Sequence, residues 1–454
     1  MASTSSFDRR SLLRGMARAG AGLGALGAVS RLRALAALSQ PGGGYKALVC
    51  IYLYGGNDAF NLIVPTGASG YAKYAAARLG LAVPLAQLLP IQPAHPQGEQ
   101  WGLHPSAAAL QQLFQAGRLA VVSNVGTLLE PTTKAQILAG TARLPAQLFS
   151  HNDQTAQWLS ALADAQLTTG WGGRISDAVA SLNAPGAVAS AVSLAGNNPF
   201  QLGLSTIPYA MNTDGPVALS GFWGSEGVRR RAAFDQILQK AQTNVLEQAL
   251  ADINQRSIAT EATVRAAFDS APTFASAFPQ SWLGSQLLAV AKLIATHAAL
   301  GLSRQVFFVA TGGFDTHDEQ DTAQPGLYGD LAQCLAAFDA AMLEIGESSS
   351  VCAFTASEFG RTLSSNGRGT DHGWGSHQLV SGGAVSGGDL YGTMPDLALE
   401  GSDDLGGGRF IPTSSVDQLG ATLATWFGVA PGDLATVFPN LASFTSQPAL
   451  DFMA

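Results

Sequence analysis

After Lys46, the stretch Ala47-Leu48-Val49-Cys50-Ile51-Tyr52-Leu53 is apolar throughout, and it runs into Gly55-Gly56-Asn57-Asp58. A strand with one wet face would alternate polar and apolar residues. A continuous apolar run closed by glycines suits a strand buried on both faces. Three more segments read the same way: Arg118–Val125, Gln305–Ala310 and Ser350–Thr355. A helical pattern from about Tyr328 to Ile345 separates the last two. Strand–helix–strand units with buried strands predict an α/β fold, a mostly parallel central sheet covered on both faces. Further helices are expected at Pro105–Ala116, with Leu110, Leu113 and Phe114 on one face, and at Ser415–Phe427. The middle of the chain carries helical periodicity near 229–268 and 283–301, joined around Pro272 and Pro279. That part, about 228–300, reads either as a helical insertion or as an outer layer of the sheet.

The N-terminus has a different character. Arg9-Arg10 precedes Ser11-Leu12-Leu13, a Gly/Ala-rich stretch follows to Val29, and Ala34-Leu35-Ala36 offers a small-x-small exit. This order of features reads as a cleavable twin-arginine signal over residues 1–40, with the mature domain over 41–454. The apolar stretch is short of the ~20 residues that span a bilayer. An ordinary basic helix and a retained anchor are the alternatives. A periplasmic or secreted location follows from the signal reading.

Composition narrows the function classes. Apolar residues make up 47% of the chain and charged residues 12%, which argues for a well-buried globular protein and against disorder. The net charge is −8; residues 1–40 hold six Arg and one Asp, so the rest carries 18 basic and 31 acidic residues, a net of −13. Nucleic-acid binding runs on Lys and Arg contacts to phosphate, so no nucleic-acid partner is expected. Cys50, Cys334 and Cys352 each sit in apolar surroundings and read as buried small hydrophobes. No second membrane segment is apparent.

In open α/β sheets, ligands bind at the carboxyl ends of the strands. The polar motifs of this chain fall there. Gly55-Gly56-Asn57-Asp58 follows the first strand and Gly312-Gly313-Phe314-Asp315-Thr316-His317 the third. Ser357-Glu358-Phe359-Gly360-Arg361-Thr362 and Gly369-Thr370-Asp371-His372 follow the fourth. Of seven histidines, His317, His372 and His377 belong to this set; His104 and His151 are further members to consider, while His95 and His297 read as peripheral. Each motif alone is compatible with a turn or a helix cap. Together, Asp58, Asp315, Glu358 and Asp371 with these histidines form a ligand-type set needing a counter-charge, which divalent metal would supply.

These motifs, with the twin-arginine start, resemble the exported domain-of-unknown-function family 1501, over essentially the whole mature chain. That family is grouped with the alkaline phosphatase-like superfamily of sulfatases, phosphopentomutases and alkaline phosphatases. The resemblance implies a three-layer α/β/α sandwich with one or two divalent ions (zinc, magnesium, manganese or calcium) at the strand ends. Against the phosphopentomutase pattern, Gly369-Thr370-Asp371-His372 matches a metal-histidine motif. Asp58 matches the metal aspartate after the first strand, and Asp315 and His317 a ligand pair with shortened spacing. Ser357-Glu358 stands where the superfamily has Asp-His, which puts one metal position in doubt.

The resemblance places a hydroxyl nucleophile at a helix N-terminus, and Ser150, with Thr155 behind it, is the candidate. Ser150 also reads as a plain N-cap. Arg361 is the candidate oxyanion clamp. No sulfatase Cys-x-Pro-x-Arg motif is present. Three functions follow. The first is an exported metal-dependent hydrolase of small-molecule or polymer phosphate or sulfate esters. The second is a catalytically inactive exported binding or assembly protein retaining the fold, with a co-exported partner. The third is a carbohydrate-active protein using its seven tryptophans as stacking platforms, although tryptophan in so apolar a chain is more often core.

Overall fold

The opening run forms β1 (Lys46–Leu53), in the middle of a nine-stranded sheet in the computed structural model, which describes residues 44–164 and 168–454. Residues 1–40, where a twin-arginine signal is expected, lie outside the described residues. β1 pairs in parallel along its whole length with β8 (Arg304–Thr311), and on its other side with β9 (Val351–Ala356). Beyond β8 lie β6 (Ala191–Ser193) and β7 (Tyr209–Ala210), also parallel, while β2 (Ile63–Pro65), β3 (Leu89–Ile91) and β4 (Trp101–Leu103) form a small antiparallel sheet of their own. Beyond β9 come β12 (Ser376–Ser381), then β5 (Leu119–Gly126), flanked by the two-residue strands β13 (Leu390–Tyr391) and β14 (Ser414–Ser415). β12 is antiparallel to both of its neighbours, so every strand of this sheet but one runs the same way. β12 is a strand the sequence reading passed over: Ser376, His377 and Gln378 break its apolar run.

Alternate side chains of each central strand enter opposite cores. Val49 and Ile51 of β1 join Phe307 and Val309 of β8 on one face. Cys50 and Tyr52 join Val306 and Phe308 on the other. The first face is covered by the helices Ala108–Gln115, Trp282–Ala295 and Gln320–Glu344. The second is covered by His151–Ser160, Trp171–Ala178 and Val416–Phe427. The result is the three-layer α/β/α arrangement. The run at Lys46–Leu53 is continuously apolar because both of its faces need partners.

In the middle segment, helices Gly224–Gln239 and Val245–Asp269 precede Trp282–Ala295. Val264, Ala267 and Phe268 enter the first core with the Trp282–Ala295 helix, so this part is an outer layer of the sheet. The Gln320–Glu344 helix begins well before Tyr328 and runs through Pro325. Its first turns are held by Gln320 and Gln324, whose amides donate to Asp58. All three cysteines are free and buried. Trp158, Trp171 and Trp374 are core residues, but Trp223 and Trp282 are exposed.

Candidate metal centre at the strand ends

β1 is followed by Gly55 and Gly56, with φ of +119° and +86°, conformations that favour glycine. A Cβ at Gly55 would lie 2.3 Å from the Asp315 amide nitrogen, so this glycine lets the β1 and β8 ends close together. Its N–H donates to Glu358 at 2.9 Å, and its carbonyl accepts from Arg361 at 3.0 Å. β9 is followed by a hairpin of β10 (Arg361–Ser365) and β11 (Thr370–His372), in which Arg361 pairs with His372. The sequence analysis assigns no strand to these motifs. The hairpin carries His372 back over the end of β8.

Three imidazoles converge on Asp315. His151 Nε2 lies 3.4 Å from its Oδ2, and the Nε2 atoms of His317 and His372 lie 3.0 and 3.3 Å from its Oδ1. The last two nitrogens are 3.0 Å apart. Each ring is oriented by an acceptor at its other nitrogen: Glu358 at 2.8 Å for His151, Asp371 at 3.1 Å for His317, and the Phe149 carbonyl at 2.8 Å for His372. In the neutral ring, Nδ1 therefore carries the hydrogen and Nε2 presents a lone pair toward Asp315. Three lone pairs and a carboxylate aimed at one another repel unless a cation lies among them. Donors 2.0–2.1 Å from a tetrahedral zinc are separated by edges of about 3.3 Å, and the observed spacings sit close to that value. His151, Asp315 and His372 form a group with all ligand atoms within 4.8 Å. The orienting carboxylates are the outer partners that metal-binding histidines require.

Charge agrees with geometry. Asp315 pairs with the Arg361 guanidinium, while the carboxylates of Glu358 and Asp371 stand behind His151 and His317, so acidic groups surround the converging nitrogens. Burial pulls the His372 pKa down, favouring the neutral, ligating ring. Burial alone would raise that of Asp315, but the Arg361 hydrogen bond and the neighbouring positive charges outweigh it and hold the carboxyl below its usual value.

Several expected roles are corrected. Asp58 is fully buried in a bidentate ion pair with Arg78 and also accepts from Gln320 and Gln324, and it stands outside the converging group. Glu358 orients His151, and Asp371 orients His317; neither belongs to the converging group. Ser357 is spent on backbone, donating to the Leu53 carbonyl and accepting from the Asn57 amide. Arg361 is buried and its donors are taken by Asp315, Gly55 and Thr370, so it aims Asp315 and is not a free oxyanion clamp. Ser150 is the N-cap residue of the His151–Ser160 helix, but its hydroxyl donates to Asp153 at 2.5 Å and caps nothing. His377 is buried in the sheet, accepting from the Asn124 amide, and His104 caps the Pro105–Ala107 turn. His151 was a marginal candidate in the sequence and is a central member here. Its adjacency to Ser150 was the available signal. Among the described residues one group of possible metal ligands comes together, His151, Asp315 and His372, with His317 beside it on Asp315 and His372.

Beside the cluster lies a cleft of about 390 Å³ lined by Tyr54, Gly55, His151, Thr155, Gly312 and Glu358, at the carboxyl ends of the parallel strands. An α/β/α sandwich with a His/Asp metal-type centre at its strand ends is the class the structure defines. The family model described as "Protein of unknown function (DUF1501)" matches residues 45–428, and the chain belongs to that family. Comparison with curated proteins finds no match. Among solved structures, the PsFucS1 sulfatase from Pseudoalteromonas sp. is 12% identical, over 89% of this chain and 75% of that one, with a TM-score of 0.34. The phosphonate monoester hydrolase SpPMH from Silicibacter pomeroyi is 9% identical over 85% and 74%, also at 0.34. Ps i-CgsB reaches 0.37 at 9% identity over 89% and 77%. Likeness at this level bears on neither substrate nor mechanism.

Proposed function

We propose that the protein is an exported metal-dependent hydrolase of phosphate or sulfate esters, working outside the cytoplasm after twin-arginine export. One observation carries the metal: His151, His317 and His372 are each anchored through Nδ1 and direct Nε2 at Asp315. A set of three imidazole nitrogens and one carboxylate suits zinc better than magnesium or calcium, which prefer all-oxygen shells. A cation held there would polarise a phosphoryl or sulfuryl oxygen and offset its charge.

The chain's own residues do the positioning. Arg361 fixes Asp315, Glu358 fixes His151, and Gly55, Gly312 and Gly313 leave the cleft wall open to close approach. The ten-residue His151–Ser160 helix begins at the cluster, and its N-terminal dipole favours an anionic group beside it. Ser150, the N-cap of this helix, and Thr155 on it are the candidate hydroxyls, with Asp153 able to accept the Ser150 proton. A twin-arginine precursor crosses the membrane already folded, which would let the metal bind first, since ligand binding and folding are coupled.

Metal analysis of the purified protein, with a panel of phosphate and sulfate mono- and diesters, tests the reading. Stoichiometric zinc or another transition metal, and turnover abolished in His372→Ala, are expected. A metal-free protein inert on the whole panel overturns it. The second reading, an inactive exported binding or assembly protein, is favoured by the engagement of Arg361 and Ser150 elsewhere. It predicts bound metal without turnover.

A further inference from the structure

A second cleft, of about 450 Å³, adjoins the one beside the metal-type cluster. The two share Tyr54 and Gly312. Its walls come from the segments that leave β1, β6, β7 and β8, so it continues the crevice at the carboxyl ends of the strands across the other half of the sheet. Leu194, Met211, Val217 and Trp282 supply apolar surface, and among the described residues no charged one lines it. Trp282 is 59% exposed and Val217 is 62% exposed, unusual for such residues beside a site of this polarity. The side-chain polar groups of the lining are those of Tyr54, Asn212 and Thr311.

We propose that this second cleft is the subsite for the alcohol portion of the ester, and that it takes an uncharged apolar ring, aryl or alicyclic; the proposal rests on the hydrolase reading above. Continuity fixes the role: a group esterified to an anion at the cluster reaches the second cleft past Tyr54. Neutrality fixes the charge. A polyanionic polymer would place further charges against Leu194, Met211 and Trp282, where no counter-charge lines the wall. The scarcity of polar side chains disfavours a sugar, whose buried hydroxyls would outnumber their partners, whereas a flat ring lies well against Trp282 and Tyr54.

Calorimetric titration of the full chain with 2-naphthol tests the subsite without requiring turnover. Trp282→Ala and Val217→Asp are suitable variants because both side chains are largely exposed and their loss leaves the core intact. Saturable binding is expected, weakened roughly tenfold by removing the indole surface and at least as much by the introduced charge. In parallel, the ratio of kcat/KM for the 2-naphthylmethyl over the methyl ester, two alkyl esters of similar leaving-group ability, is expected to fall toward unity in both variants. Absence of naphthol binding, binding indifferent to both variants, or tighter binding of a methyl glycoside overturns the proposal. Naphthol binding with no ester turned over leaves the subsite standing and sinks the hydrolase reading. Turnover without preference for a ring does the reverse.

Discussion

Asp58 shows how far a motif can mislead at the scale of one residue. An aspartate after Gly-Gly at a strand end has the right type and place for a ligand, yet its oxygens are matched by Arg78, twenty positions on. No local pattern announces that pairing, because a buried ion pair depends on where the Ala68–Arg78 helix lands. Removing one partner of a fully buried pair strands the other, so Asp58→Asn is expected to cost about 3–5 kcal/mol in urea unfolding, while metal content stays unchanged once the protein is folded. Glu358→Gln should behave in the opposite manner. It keeps the shape but loses the charge behind His151, so metal affinity is expected to fall about 10- to 100-fold, measured by competition with a chromophoric chelator. His377, also a candidate in the sequence, is a buried core histidine whose pKa burial pushes down to about 3. Its folded value lies below the unfolded value of about 6.5. The unfolded chain therefore binds the proton more readily between those values, and the stability His377 contributes is complete above about pH 6.5 and lost as pH falls toward 3. Unfolding free energies measured across pH 4–7 should show a shallower acid decline in His377→Gln than in the parent.

At the scale of elements, the buried strands β1, β5, β8 and β9 were legible because two-sided burial writes an uninterrupted apolar run. β12 was not, since its buried Ser376, His377 and Gln378 find polar partners inside the sheet: Ser376 the Asn57 carbonyl, His377 the Asn124 amide, Gln378 the Thr355 hydroxyl. The β10–β11 hairpin was hidden for a related reason. Its sequence, from Arg361 through Gly369 to His372, reads as loop by composition, and its pairing is held by Arg361 and by backbone contact with the Thr316 segment. Gly369 makes that contact close, with a Cβ there falling 2.2 Å from the Thr316 carbonyl oxygen. Gly369→Ala is therefore expected to push the hairpin off the β8 end and separate His317 from His372. Metal affinity should drop at least tenfold with little change in secondary structure by circular dichroism.

At the scale of the whole molecule, the topology was readable and the site only in outline. The sheet rule places ligands at the carboxyl strand ends; three of the four motifs it singles out contribute Asp315, His317, His372 and their partners Glu358, Arg361 and Asp371, while His151 lies outside all four. It could not say which carboxylates bind and which orient, because that depends on ångström-scale register between segments some 60 to 300 residues apart. The assembled cluster gathers three carboxylates around its imidazole nitrogens, and residues 41–454 carry a net charge of −13, so the folded protein without metal carries self-repulsion that a cation relieves. A ligand bound only by the folded state stabilises it by about 2.7 kcal/mol at a hundredfold excess over Kd. Chelator-treated protein is thus expected to melt several degrees below the untreated protein by scanning fluorimetry. Zinc should restore the midpoint at far lower concentration than magnesium or calcium, because three of the four converging donors are imidazole nitrogens. The same treatment should leave His372→Ala unmoved, its ligand set being already broken. A midpoint indifferent to chelator and zinc in the parent protein would mean that His151, Asp315, His317 and His372 converge for a reason other than metal.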